Sequence, residues 1–346
     1  MIDLRIVRIL WVASVWMVTP ASAAAPVNVI FDTDMETDCD DGGAMAILHS
    51  LADLGECEII ACGTSVLTLD ALATVDVINR YRGRSNIPLG KVKDQGVRQK
   101  SKFTRQIAAE FTHRVKSESD IPDAAHLYRD VLAQQPNHSV VMITVGYLTN
   151  LRNLIALPAS DQHASGLDVV RAKVSKYVCM GGNFIGYPPK DDLSLGNVNF
   201  CRDADSAFDV LHRWPTEIVF AGREVCSVPS GVRVGESLRG VPADNPVRRI
   251  YELYSGGKAG DRHVADLAAV LYAVRGTTDC WDISAPGKLK LERDMKFEWE
   301  FTSEGKQRYL LKKDNENGKN DRHVEATLNK LLIQPRAGLG RNPIQC

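Results

Sequence analysis

The chain has 346 residues, 44% hydrophobic and 25% charged, with a formal net charge of -1 and a sequence pI of about 6.7. Such a composition can bury a large core and excludes an intrinsically disordered chain. The absence of a basic excess argues against a nucleic-acid partner, because phosphate backbones are held mainly by lysine and arginine.

In chain order, residues 1–25 read as a targeting segment. Arg5 and Arg8 supply a charged start, an apolar run from Ile9 to Val18 is short for a membrane span, and Ala21-Ser22-Ala23 suits a cleavage site. A retained N-terminal anchor is the alternative. The expectation is a signal peptide over 1–25 and one mature α/β domain over 26–346, exported to a periplasmic or extracellular location and free of the membrane after cleavage.

The next stretch, Val27 to Gly43, carries the densest chemistry. A short apolar strand over 27–31 runs into Asp32, Asp34, Glu36, Asp38, Asp40 and Asp41, and Gly42-Gly43 with an amphipathic helix follow. Carboxylates packed this closely at one strand end repel one another unless a cation joins them, and hard oxygen ligands suit Ca²⁺ or Mg²⁺. A solvated acidic loop is the bland alternative. An EF-hand loop counted from Asp32 needs Gly at its sixth position and Glu at its twelfth, where this chain has Thr37 and Gly43. A phosphohydrolase with Asp32 as nucleophile suits Asp32-Thr33-Asp34 but leaves Asp40-Asp41 unexplained.

Downstream the pattern alternates. Strands are expected over 58–64, 87–90, 139–144, 177–180 and 216–220, with helices over 69–81, 104–116, 124–134, 148–157 and 203–214. This βαβ order implies an open, mostly parallel sheet with helices on both faces, a Rossmann-like arrangement. A hairpin of 297–301 with 308–311, turning at Ser303-Glu304-Gly305, and a closing helix over 324–332 complete the pattern. The polar run 313–322 reads as a surface loop. The eight cysteines (Cys39, Cys57, Cys62, Cys179, Cys201, Cys226, Cys280 and Cys346) permit disulfides after export but show no zinc spacing. Several read as small buried hydrophobes.

Four later motifs lie at strand ends or helix starts. Thr144-Val145-Gly146-Tyr147-Leu148-Thr149-Asn150 follows the strand over 139–144 and, taken alone, is a strand-to-helix turn. Met180-Gly181-Gly182-Asn183 allows close backbone approach at a strand end and leads into a loop with Tyr187, Pro188 and Pro189. Asn197-Val198-Asn199 closes that loop. Asp266, in Arg262-His263-Val264-Ala265-Asp266-Leu267, is by itself a good helix-start residue, and His263 reads as an ordinary surface histidine.

Taken together, Asp32-Thr33-Asp34, Asp40-Asp41, Gly146 to Asn150, Met180-Gly181-Gly182 and Asp266 resemble the nucleoside hydrolase family, the inosine-uridine-preferring N-ribohydrolases, and look most like its bacterial secreted branch. The resemblance implies a Ca²⁺ ion held by Asp34, Asp41, the Val145 carbonyl and Asp266, with Asp32 close by. It implies Asp34 as catalytic base and Asp40, Asn183, Asn197 and Asn199 as sugar-binding groups. The implied activity is calcium-dependent hydrolysis of the N-glycosidic bond of a ribonucleoside. Because family members commonly form dimers or tetramers, a homo-oligomer is a further expectation. The chain departs from the family at Asn197, where an acid is usual, at Ala265, where His or Trp is usual, and at Gly63 to Val66, which offers hydroxyls in place of Asn. These departures favour the alternative of an exported calcium-containing nucleoside- or sugar-binding protein with little or no catalysis.

Overall fold

Strand β1 (Val27–Thr33) is buried from Val29 onward, and its alternate residues serve two different cores. Val29 and Phe31 pack on one side and Ile30 on the other, as expected of a central parallel strand covered on both faces. The computed structural model describes residues 25–93, 95–184, 198–226, 231–313 and 316–337. Residues 1–24 of the expected targeting segment, Tyr187 to Pro189, Asn197 and Cys346 lie outside them.

The remaining strands are β2 (Cys57–Thr64), β3 (Leu89–Lys91), β4 (Val140–Thr144), β5 (Val174–Met180), β6 (Glu217–Ala221), β7 (Arg233–Val234), β8 (Arg262–His263), β9 (Trp281–Ile283), β10 (Gly287–Leu291), β11 (Phe297–Phe301) and β12 (Gln307–Lys312). Among the described residues ten of them form one sheet, in the order β11-β10-β12-β6-β5-β4-β1-β2-β3 with β9 on β12, while β7 and β8 make a separate ribbon. All pairings from β3 across to β6 and on to β12 are parallel; β9, β10 and β11 are antiparallel additions. The mostly parallel sheet expected from the alternation is therefore present. Its 3-2-1-4-5-6 core is a doubly wound order, and the direction of winding reverses between β1 and β4.

Helices cover both faces. One face carries α1 (Asp40–Asp53), α2 (Leu69–Tyr81) and α3 (Thr104–Glu110). The other carries α4 (Ala124–Ala133), α5 (Thr149–Ala156), α6 (Gly166–Lys173), α7 (Val198–Arg202) and α8 (Ala204–Arg213). After α9 (Arg223–Cys226), helices α10 (Pro246–Ser255), α11 (Ala265–Arg275) and α12 (Lys319–Leu332) return to the first face. Every residue of α11 from Ala265 to Ala273 is buried, because it is sandwiched between the sheet and α1. Gly42 and Gly43 give α1 its close seat. A Cβ on Gly43 would stand 2.5 Å from the Tyr251 hydroxyl and 3.0 Å from Leu267.

Several sequence expectations need correction. The strand over 297–301 does not pair with 308–311: β10 lies between β11 and β12, with Leu289 opposite Trp299 and Gly287 opposite both Phe301 and Gln307. The turn at Ser303 to Gly305 exists, Gly305 N–H donating to the Thr302 carbonyl at 3.0 Å, but it joins strands that are not neighbours. Helix α3 stops at Glu110, since Phe111 is already extended. The polar run 313–322 is only partly loop, because α12 begins at Lys319. Helices α6 and α10 were not anticipated, although Ser165 and Asn245 cap them with their side chains. Cys39, Cys57, Cys62, Cys179 and Cys280 are buried thiols, in keeping with a packing role. No helix among the described residues is long and apolar enough to cross a membrane.

Candidate functional site

The acidic residues converge where the sheet order reverses. The register places Asp32 of β1 beside Gly63 of β2 and Thr144 of β4, so the carboxyl end of β1 lies between its two neighbours' ends. The Val145 N–H donates to the Asp32 carbonyl at 2.9 Å and the Ser65 N–H to the Thr33 carbonyl at 2.9 Å. Gly146 makes this approach feasible, since a Cβ there would lie 2.4 Å from Asp34 N and 2.9 Å from the Thr33 carbonyl carbon. Gly146→Ala should therefore misplace Asp34 and cost about 1–3 kcal/mol as an overpacking substitution. An urea titration measures it, and an unchanged midpoint would refute it.

Helix α1 starts with Asp40 and Asp41, and α11 starts with Ala265 and Asp266. Both helix N-termini meet here, and their partial positive charge favours acids in the first turn. Asp40, Asp41 and Asp266 are buried, and each offers a carboxylate oxygen within 4.8 Å of the others. Asp41 Oδ1 accepts from the Thr33 hydroxyl and from Met35 N–H at 3.1 Å. Asp34 accepts from the Thr37 hydroxyl and lies near enough to Asp41 for the two carboxyls to influence one another. Asp266 Oδ1 is buried without a hydrogen-bond partner. Burial, then the neighbouring carboxylates, holds Asp41 and Asp266 well above the ordinary carboxylate range. Burial likewise carries Asp34 to about 6. Acids raised in this way, with a buried oxygen left unpaired, are what a hard cation would neutralise, so the donor set fits Ca²⁺ or Mg²⁺.

Asp32 is handled differently. Its Oδ2 accepts from the Tyr128 hydroxyl at 2.6 Å and from Asn150 Nδ2 at 2.7 Å, while Oδ1 is buried and unpaired. Burial raises its pKa to about 7 in spite of the two donors. Asp38 sits at the rim, where Arg262 Nε donates to its oxygens at 2.9 and 2.8 Å and His263 Nε2 lies 3.4 Å away. Burial alone would raise Asp38, but these two partners take it far below the usual range.

His263 corrects the expectation of a surface histidine. Its ring is 22% exposed and bridges two acids, with Nδ1 3.4 Å from Asp40. Although burial lowers its pKa, Asp40 and Asp38 push it up to about 9. No local pattern marks this role: only the β7–β8 ribbon brings His263 over the start of α1.

The sequence-derived site residues are thus largely brought together, with altered groupings. Asp40, expected on the sugar, stands in the tightest carboxylate set with Asp41 and Asp266, and Asp34 lies against that set through Asp41. Asn199 donates from Nδ2 to the Val145 carbonyl at 3.0 Å, joining an expected sugar ligand to an expected cation ligand. Asn183 is buried just beyond β5. Gly182 precedes it with φ +92°, a left-handed conformation in which a Cβ would also strike Phe184. The Ser65 hydroxyl accepts from Tyr147 N–H at 3.1 Å and donates to the Thr33 carbonyl at 3.3 Å, so it serves the strand ends. Glu224 is buried and accepts from Phe184 N–H. Tyr128 was not anticipated, and its position on a partly apolar helix gave no signal.

The raised acids carry a pH consequence. A carboxyl whose folded pKa lies above its unfolded value stabilises the fold only while protonated, so that contribution disappears as pH rises through the folded pKa. Asp34 at about 6 and Asp32 and Glu36 at about 7 set the window. In chelator the melting temperature should fall between about pH 4 and 7, from the unfolded to the folded pKa values, and calcium should oppose the fall. A flat or rising curve in chelator would contradict this account.

No family model matches the chain, and no curated protein does. Solved structures do. A plant nucleoside hydrolase is 17% identical, with 90% of this chain and 100% of that one covered at a TM-score of 0.63. The inosine-uridine preferring nucleoside hydrolase from Bacillus anthracis is 14% identical over 88% of this chain and 99% of its own, at 0.62. The type III effector protein XopQ, solved in complex with adenosine diphosphate ribose, is 13% identical over 90% and 94%, at 0.60. At these identities the likeness is one of fold: the chain has the fold of the nucleoside hydrolases.

Proposed function

We propose that the protein is a calcium-dependent hydrolase of the N-glycosidic bond of a ribonucleoside or related N-riboside, acting after export. The observation that carries this reading is the buried set Asp40, Asp41 and Asp266, with Asp34 against it, at the point where the sheet order reverses. Ligands of open α/β sheets bind at such points.

Asp34, Asp41, Asp266 and the Val145 carbonyl would hold the ion, with Asp32 and Asp40 beside it. A bound calcium would supply a water of lowered pKa and an anchor for sugar hydroxyls. Asp34 takes the proton of the attacking water as its oxygen bonds to the anomeric carbon and the bond to the base nitrogen breaks. Asp40 and the Oδ1 of Asn199 accept from sugar hydroxyls and stabilise the cation-like sugar of the transition state. The departing base takes its proton from solvent.

Release of free ribose from a panel of nucleosides, with calcium and with chelator, tests the proposal. Calcium-dependent release is expected. Absence of release from every nucleoside, with calcium still raising the melting temperature, would refute hydrolysis and favour the binding-protein reading. That second reading draws on Ser65, whose hydroxyl is spent on backbone, and on the same-fold effector solved with adenosine diphosphate ribose.

A further inference from the structure

Asp32 lies at the centre of an arrangement that packing alone does not explain. Its Oδ2 takes two short bonds, from Tyr128 on α4 and from Asn150 on α5, two different helices. Asn150 Nδ2 is itself fixed, since it also donates to the Thr64 carbonyl at 3.0 Å. The Tyr128 hydroxyl fits only because residue 63 lacks a side chain: a Cβ there would stand 1.8 Å from that oxygen. Tyr128, Asn150 and Asp32 are all essentially fully buried. The result is a carboxylate with one oxygen doubly capped and the other, Oδ1, buried and unpaired. An apolar side chain would fill this place without leaving a buried oxygen unpaired, and an orphaned buried acceptor is costly.

We propose that Tyr128 and Asn150 are positioning residues that lock the Asp32 carboxylate in one rotation, reserving Oδ1 for the cation centre, with Gly63 as the clearance the lock requires. The inference rests on the reading of the carboxylate set as a cation site. Groups that orient metal-side carboxylates in this way change metal affinity by about 10–100-fold when removed. A residue that served only the core would change folding stability and leave that affinity alone.

The test is calcium titration calorimetry of the full mature chain and of Tyr128→Phe, with melting temperatures in chelator. Tyr128→Phe removes one hydroxyl and keeps the ring, so the melting temperature should fall more with calcium than in chelator, and the calcium dissociation constant should rise about tenfold. Gly63→Ala, which displaces the same hydroxyl by another route, should weaken calcium binding in the same direction. Unchanged calcium affinity in Tyr128→Phe, or an equal loss of melting temperature with and without calcium, would overturn the proposal. Wild-type protein that binds no calcium would overturn the cation-site reading itself, and the two failures are told apart by the wild-type titration alone.

Discussion

Asp34→Asn should abolish nucleoside hydrolysis while leaving the fold in place. Asn keeps the volume of Asp and can still meet the Thr37 hydroxyl, to which Asp34 is bonded, so the loop from β1 to α1 keeps its local contact. It cannot take a proton from water. Losing a general base costs about 10²–10⁴-fold in rate, and losing a carboxylate from the cation's surroundings adds to that. Initial rates under saturating calcium give the loss, and circular dichroism confirms that the variant is folded. Turnover at wild-type rates would remove Asp34 from the mechanism.

Asp266→Asn should separate stability from cation binding. Asp266 is buried, its pKa is held well above the ordinary range first by burial and then by Asp40, Asp41, Asp34 and Asp38, and its Oδ1 has no partner. Without a cation, neutralising this group relieves like-charge crowding, so the variant should melt higher than wild type in chelator. With calcium the order should reverse. A ligand at 1,000 times its dissociation constant stabilises the folded state by about 4 kcal/mol, which the variant would largely forgo. Thermal denaturation of both proteins, with calcium and with chelator, reads this crossover. Parallel curves, with the variant lower in both conditions, would mean that Asp266 is only a helix-start residue.

Local pattern was enough to foresee much of this protein. The continuous apolar runs of β1 and β4 are buried on both faces, as runs without alternation should be, and the acids after β1 lie at a strand end as their position implied. The late strands were harder. Phe297 to Phe301 and Gln307 to Lys312 both look strand-like, yet Gly287 to Leu291 inserts between them, with alternate residues buried. Periodicity reports which face of a strand is covered and says nothing about its neighbour.

The sequence by itself determined the strand that ends in carboxylates, the glycines that let α1 sit close, and the alternation that builds a parallel sheet. The strand and the alternation follow from local periodicity, whereas the glycines are legible as residues but their close seat is made against the distant Tyr251 and Leu267. Tertiary structure alone decided the site's composition. It brought Asp266 to Asp40 across 226 residues, set His263 between Asp38 and Asp40, turned Asn199 onto the Val145 carbonyl, and aimed Tyr128 through the gap at Gly63 to Asp32. Apart from that of His263, which the separate β7–β8 ribbon sets, these pairings follow from which strand ends and helix starts the doubly wound order places side by side, and that order is a property of the packed sheet rather than of any one segment.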